Sequence, residues 1–335
     1  MKGTLTDDAV YVDAPARERF YDTRGYGSPD GDGLTLAPVE AAYLLHRDDL
    51  DSIDGMDFSA FLAHETLVAE FVVYADLRSR GYYLGVAKNE PYEFTVYPRG
   101  KGPWDNAIAY RLRVIDEREM IEARSLTDSA DTLAIVDEEG EISYYEISQP
   151  DFDGNNTYEC SSITGEIVAN RVLVWEPPER LHNAGFYGQR LYGRNATSGP
   201  VQLSVVEAAY LESCGCLDLK GGQTVVTHGQ HLEDERFNRR LTVYHSLREQ
   251  GAVPKTGFKF GADFRVYENF DSVEAMKSGN DHSESLIRVI SPDYEFTTWE
   301  ISQDVRLAGG VNKAMVFALT ENSSIDWCCL RWFSP

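Results

Sequence analysis

Three residues in the last quarter of the chain, Tyr267, His282 and Lys313, are of types that could together cut a phosphodiester. Cleaving RNA without a metal needs a base for the 2′-OH proton and an acid for the departing 5′-oxygen. It also needs a cation against the charge that gathers on five-coordinate phosphorus. Histidine, with an ordinary pKa near about 6.5, suits the acid. Lysine offers a compact cation. Tyrosine, with an ordinary pKa near about 10, needs a cation beside it before its phenolate becomes accessible, and Lys313 would supply one. Each residue also has a plain structural reading: a tyrosine at a strand end packs, and a histidine on a loop is solvated.

A repeat within the chain singles these three out. VEAAYL stands at 39–44 and again at 206–211, and FYDTRGYG from Phe20 resembles FYGQRLYG from Phe186. Phe71-x-x-Tyr74-x-x-Leu77-Arg78-x-x-Gly81 recurs as Leu241-x-x-Tyr244-x-x-Leu247-Arg248-x-x-Gly251. FTVY ending at Tyr97 recurs as FRVY ending at Tyr267, and RVI at 113–115 recurs at 288–290. Five matches in one order imply a tandem duplication of a unit of roughly 165 residues. Tyr97 stands opposite Tyr267, but Ala107 falls where His282 stands, and Ala130 or its neighbour Ser129 falls where Lys313 stands. Polar groups in one copy and small residues in the other suggest a site kept once and lost once.

The same patterns indicate the elements that must carry these residues. Each unit opens on short aromatic-rich strands and the VEAAYL helix. An amphipathic helix follows, with Leu67, Phe71, Tyr74 and Leu77 on one face and Gly81 as its stop. Phe237, Leu241, Tyr244, Leu247 and Gly251 repeat it. FKFGADFRVY, SLIRVI and AMVFAL read as strands. Between the last two lies a helix with Thr297-x-x-Glu300 as its capping box and Gly309-Gly310 as its end. This is an α+β pattern. It divides the chain into four domains at 1–65, 66–150, 151–233 and 234–335.

The 335 residues carry a formal charge of −24, which taken alone argues against a polyanionic partner. The acid is spread along the whole chain, however, and such a surface suits concentrated salt, where the Debye length is only ~3 Å at 1 M. A salt-loving source accounts for it. Between residues 235 and 268 seven basic residues outnumber four acidic ones, a local positive field in an acidic chain. With 42% apolar residues the chain reads as globular. Its five cysteines form no CxxC pair, its start lacks the apolar stretch of a signal peptide, and no apolar run reaches the ~20 residues of a membrane helix. A reduced, soluble, cytoplasmic protein is the expectation.

The segments KTGFKFGADFRVY at 255–267, DHSESLIRVI at 281–290 and EISQDVRLAGGVNKAMVFAL at 300–319 resemble, in order and spacing, the signature of the archaeal tRNA-splicing endonucleases. The duplicated arrangement resembles the long-chain subgroup, in which a degenerate unit precedes an active one and two chains form the enzyme. The resemblance implies that each unit pairs a small N-terminal α+β domain with a restriction-endonuclease-like domain of mixed sheet and flanking helices. It implies Tyr267 as general base, His282 as general acid and Lys313 as transition-state stabiliser, with no metal and no cofactor. The implied partner is a precursor tRNA folded into a bulge-helix-bulge, cut to a 2′,3′-cyclic phosphate and a 5′-hydroxyl. A pair of arginines would sandwich a flipped-out bulge base: Arg306 matches the first, and Arg331 is the candidate for the second. Asp137, Glu138 and Glu139 match the acidic loop that docks into a partner unit, whereas Glu321-Asn322-Ser323-Ser324 is less acidic. Trp327, Leu330 and Trp332 give the final strand an apolar character that fits an interface or a core equally.

Weaker patterns complete the reading. His228-x-x-His231 lacks a completing ligand and suits a surface loop, and Cys214-x-Cys216 has no partner motif. The glycine-rich stretches lack a nucleotide-binding context. Two rivals remain open: a non-catalytic RNA-binding or scaffolding subunit, and a metal-dependent nuclease using Asp263 and Glu268.

Overall fold

The structure, a computed structural model, describes residues 1–127, 130–193, 195–222, 224–279 and 282–335. Two small sheets share one connectivity. The first holds Lys2–Thr6, Ala9–Val12, Ser28–Asp30, Gly33–Leu36 and Ser52–Ile53; the second holds Ile163–Val168, Arg171–Val174, Gln189–Arg190, Val201–Leu203 and Leu217–Leu219. In each, the strands lie side by side as third, fourth, second, first and fifth in chain order, and only the last pair is parallel. A parallel return needs a crossover, and the VEAAYL helices, Pro38–His46 and Val205–Ser213, supply it. Their paired alanines, Ala41 and Ala42 or Ala208 and Ala209, are fully buried against the sheet.

The glutamate of VEAAYL is buried in both copies, which explains why the sequence keeps it. Glu40 accepts hydrogen bonds from the Gly27 and Ala37 amides, each at 2.9 Å. Glu207 accepts them from Gly188 at 3.0 Å and Ser204 at 2.9 Å. These bonds correct one sequence match. Gly27 is equivalent to Gly188, so Gly25 (φ 67°) lies opposite Phe186 (φ 49°), and Phe20 is not the counterpart of Phe186.

The remaining strands form one ten-stranded sheet. Its order is Val253–Thr256, Phe264–Tyr267, Ser285–Ile290, Ala314–Glu321, Ser324–Trp332, Ile142–Ser148, Thr132–Val136, Tyr110–Asp116, Phe94–Val96 and Leu84–Val86. The two five-stranded halves mirror each other about the antiparallel pairing of Ser324–Trp332 with Ile142–Ser148. Each half has its one parallel step in the same place, Ser285–Ile290 with Ala314–Glu321 and Tyr110–Asp116 with Thr132–Val136. Helices Glu235–Glu249 and Val68–Ser79 cover one face of their own halves, burying Phe237, Tyr244 and Leu247, and Tyr74 and Leu77. The other face is a single core that runs across the join, with Ile135 and Tyr145 from one half and Leu286, Met315 and Phe317 from the other. Helix Thr298–Gly310 lies over it through Ile301, Val305 and Ala308, capped by Thr297 and Glu300 as its sequence requires.

Two local expectations change, and the final strand, open between interface and core, takes its place within the chain. FKFGADFRVY is not one strand: Phe258–Phe260 is a 3-10 turn that closes on Gly261 in a left-handed conformation (φ 67°), and the strand starts at Phe264. His228 and His231 lie on helix Val225–Glu233 and not on a loop. The final strand pairs within the chain; Leu330 is fully buried in the shared core, Trp327 packs on Phe152 at 5.0 Å, and Trp332 is exposed.

The second small sheet is tied to the large one by an ion pair that the first lacks. Lys255 bonds Glu207 and also donates to the carbonyls of Phe186 (2.8 Å) and Gly188 (3.2 Å). Burial pushes the Glu207 carboxyl up, but Lys255 and the two backbone donors outweigh it and hold the group below its usual range. Glu40 has equivalent backbone donors but no lysine bonded to it, and burial raises it. Opposite signs follow. Glu207 contributes stability above pH 4.5 that is lost as pH falls through its depressed folded pKa. Glu40 contributes stability below pH 4.5 that is lost as pH rises through its raised one. We expect Glu207→Gln, which strands a buried lysine, to cost about 3–5 kcal/mol in denaturant unfolding. Glu40→Gln should cost less than about 2 kcal/mol. Equal losses would contradict this account.

Candidate active site

Strand alternation decides which side chains can meet. Arg265 and Tyr267 are two apart on one strand and so share a face. Arg265 pairs with Leu286, and Leu286 pairs with Met315, which puts Glu284 and Lys313, each two residues earlier and just before its strand, on that face as well. It is the face of the shared core and of helix Thr298–Gly310. At this end of the sheet the core gives way to polar side chains.

Tyr267 is the last residue of its strand and is buried, with its ring 5.7 Å from that of Phe186 and 6.3 Å from that of Phe270. The chain then leaves the sheet, forms helix Val273–Lys277 and returns through His282, which is exposed. Glu284 locks the re-entry by accepting the Glu268 amide at 2.9 Å. Lys313 follows the crossover helix, where Asn312 turns the chain with φ 55°. Its ammonium donates to the Ser283 carbonyl, beside His282. Burial lowers the Lys313 pKa; Glu284 opposes the change and the charge of Arg265 adds to it.

Two clefts flank this group. The larger, about 1200 Å³, lies between the second small sheet and the large one and is lined by Tyr267, His282, Lys255 and Arg265. The smaller, about 560 Å³, is lined by Lys313, Glu284, Arg306, Arg331 and Trp332. The structure thus brings Tyr267 and His282 to one cleft and Lys313, Arg306 and Arg331 to the other, with the Lys313–Ser283 bond between them. Arg306 and Arg331 are both exposed, on the crossover helix and the final strand.

In the first half, Tyr97 also ends its strand pairing beside Gly85, but the strand registers put Ala107 opposite His282. Of the two positions considered opposite Lys313, the registers select Ser129, which lies outside the described residues. Two further cations, which are neither acid nor base in the reaction, also differ between the halves. Lys255 stands opposite Gly85 and Arg265 opposite Thr95, at the spacing that aligns Tyr267 with Tyr97.

The other candidates are placed as follows. Asp137, Glu138 and Glu139 form a turn: the Asp137 carboxylate accepts the amides of Glu139 (3.0 Å) and Glu141 (2.8 Å), and exposed Glu138 pairs with Arg118 at 2.8 Å. The matching hairpin in the second half is tighter, and its Glu321 pairs with Arg124 at 3.1 Å. His228 contacts the Ala169 carbonyl at 2.8 Å through Nε2. All five cysteines are free thiols. Among the described residues no group of three or more His, Cys, Asp or Glu could hold a metal ion, and no helix is long and apolar enough to cross a membrane.

Asp263, considered as a metal ligand, is committed elsewhere. Its carboxylate takes Arg236 at 2.7 Å, Arg240 at 3.2 Å and the Val289 amide at 2.8 Å. Glu93 receives the equivalent Val114 amide in the first half, so the position serves the strands in both. Glu268 is raised above its usual range, first by burial and then by Glu284.

Comparison with known proteins shows the family. The family model described as the catalytic C-terminal domain of tRNA intron endonuclease matches residues 237–327, and that of the N-terminal domain matches 1–62 and 163–229. The chain is 49% identical to a tRNA-splicing endonuclease of Haloferax volcanii and 48% identical to one of Natronomonas pharaonis, over the full length of all three chains. A tRNA-splicing endonuclease of Methanosarcina barkeri is 35% identical over 98% of both chains.

The ties of Asp263 yield a prediction. Asp263→Ala takes the acceptor from Arg236 and from the Val289 amide, while Arg240 keeps Glu233 at 2.6 Å, and should lower stability by about 1–3 kcal/mol. Amide exchange at Val289 should accelerate with it. A variant of wild-type stability would show that the carboxylate is free for other work.

Proposed function

Since the chain belongs to the tRNA intron endonuclease family and carries its catalytic domain, we propose that it excises introns from precursor tRNA at bulge-helix-bulge junctions without a metal ion. The observation that carries the reading is the convergence of Tyr267 and His282 on one cleft, with Lys313 bonded to the residue beside His282. In this reaction the Tyr267 phenolate takes the 2′-OH proton and the 2′-oxygen bonds to phosphorus. The bond from phosphorus to the 5′-oxygen breaks, and imidazolium His282 gives its proton to that oxygen. Lys313 offsets the charge on the five-coordinate intermediate. The products are a 2′,3′-cyclic phosphate and a 5′-hydroxyl.

Each chain supplies one such set, and an intron has two ends, so two copies act together. The exposed turn at Asp137, Glu138 and Glu139 is the contact by which each copy docks on the other, and Arg306 and Arg331 hold a flipped-out base between them. The twin small sheets and mirrored half-sheets support an origin by tandem duplication, with domains near 1–65, 66–150, 151–233 and 234–335. In each unit a small domain precedes a restriction-endonuclease-like half-sheet, and only the second unit keeps the chemistry. Such work on precursor tRNA belongs in the cytoplasm.

The test is cleavage of a bulge-helix-bulge RNA in EDTA with analysis of the product ends. His282→Ala should cut about 10²–10⁴-fold more slowly while still binding RNA and forming dimers. Undiminished cleavage by that variant would remove His282 as the acid, and loss of wild-type activity in EDTA would favour a metal-dependent route.

A further inference from the structure

We propose that Arg265 binds the scissile phosphodiester, presenting its guanidinium to the non-bridging oxygens between Tyr267 and Lys313. The proposal rests on the RNA-cleaving reading above and extends it to a residue outside the set of Tyr267, His282 and Lys313.

Position is the first ground. Arg265 shares its strand and its face with Tyr267, its guanidinium carbon lies 5.7 Å from the centre of the tyrosine ring, and it lines the cleft that holds Tyr267 and His282. It lines only the larger of the two clefts, and its charge reaches the amines of both Lys255 and Lys313.

The lack of a partner is the second ground. Seven basic residues lie between 235 and 268, and most are spent inside the protein. Arg236 and Arg240 share Asp263, Arg239 pairs with Glu235, Lys255 pairs with Glu207, and Arg248 is enclosed by Tyr244, Tyr187 and the Gly185 carbonyl. Among the described residues Arg265 has no carboxylate and no hydrogen-bond acceptor, and its Nε is shut off from solvent. Other arginines also lack a carboxylate, but Arg190 and Arg248, which are buried, donate to the Gly199 and Gly185 carbonyls, whereas Arg265 has no such acceptor. A shielded donor without an acceptor costs about 1–3 kcal/mol, and an anion entering the cleft would recover it. The exposed Lys259 also has no carboxylate within reach, but it faces water.

Asymmetry between the halves is the third ground. The first half, which has Ala107 opposite His282, has Thr95 opposite Arg265. The cation is therefore confined to the half that retains the acid.

A planar guanidinium donates two parallel hydrogen bonds and matches two phosphate oxygens, which the point charge of Lys313 cannot do. Charge on those oxygens grows as phosphorus becomes five-coordinate, so the bond strengthens towards the transition state and speeds the step. A cation beside the ring also favours the phenolate of Tyr267.

The experiment measures single-turnover cleavage of a bulge-helix-bulge RNA by the full dimeric protein, together with binding of the same RNA carrying 2′-deoxy sugars at the cut sites. Arg265→Met and Arg265→Thr should lose about 10²–10³-fold in the cleavage step, with affinity for the deoxy RNA changed by tenfold or less. The basic limb of the pH–rate profile should move to higher pH. Arg265→Ala should regain part of its rate in millimolar guanidinium, a response that a merely structural residue would not give. Cleavage by Arg265→Met within twofold of wild type, or an Arg265→Ala defect indifferent to guanidinium, would overturn the assignment and leave the splicing reading standing. A wild-type protein that cannot cut the RNA would overturn both.

Discussion

Four residue pairs hold the molecule together as one body. Tyr145, Glu146, Ile147 and Ser148 lie against Trp332, Arg331, Leu330 and Cys329, and this antiparallel join turns two half-sheets into one. A five-stranded half would otherwise end in an open edge of unpaired amides and carbonyls. The join also makes the core beneath helix Thr298–Gly310 continuous, because Leu133, Ile135 and Tyr145 of the first half complete what Met315, Phe317 and Leu330 begin. A second contact reinforces it: Glu295–Thr297 pairs with Met120–Glu122, and the Tyr145 hydroxyl donates to Ser302 at 2.9 Å. The same join delivers Arg331 to the cleft of Lys313 and Arg306. The half without His282 or Lys313 is therefore a structural template for the half that has them.

What the sequence made legible, and what it hid, follows from the range of the forces involved. Helices could be read because Leu67 to Leu77 and Phe237 to Leu247 record a local period. The cap at Thr297 and Glu300 could be read because its two bonds span three residues. VEAAYL could be recognised as a repeat, although not that its glutamate is buried beneath a glycine amide supplied by a different loop. Letter for letter Phe20 falls opposite Phe186, whereas the fold aligns the donor amides of Gly27 and Gly188. Phe258–Phe260 has residues that suit a strand, and the glycine conformation that ends its 3-10 turn carries no hydrophobic signal. Which arginines are spent internally is invisible in one dimension, since Arg236 and Arg240 meet Asp263 only after helix and strand have packed.

The charge acquires a sharper meaning in the folded molecule. The local excess of cations at 235–268 is largely consumed by carboxylates inside the domain, so it does not amount to a basic surface. Relatives from Haloferax and Natronomonas accord with an acidic exterior built for concentrated salt. In such salt the counterion-release gain of coating a phosphate backbone is small. Recognition then falls to a few oriented groups in clefts, where salt screens least.

The central strand of the large sheet has one more consequence, for the order in which the chain can fold as it is made. Ile142–Ser148 leaves the ribosome long before Ser324–Trp332, the strand that will cover it. Throughout the interval the nascent first half must carry an exposed edge and an unfinished core. Long-range pairing of this kind closes slowly, and open edges invite association with other chains. In concentrated salt, charge repulsion reaches only about 3 Å and cannot hold neighbouring nascent chains apart, so that edge stays at risk until the last strand arrives.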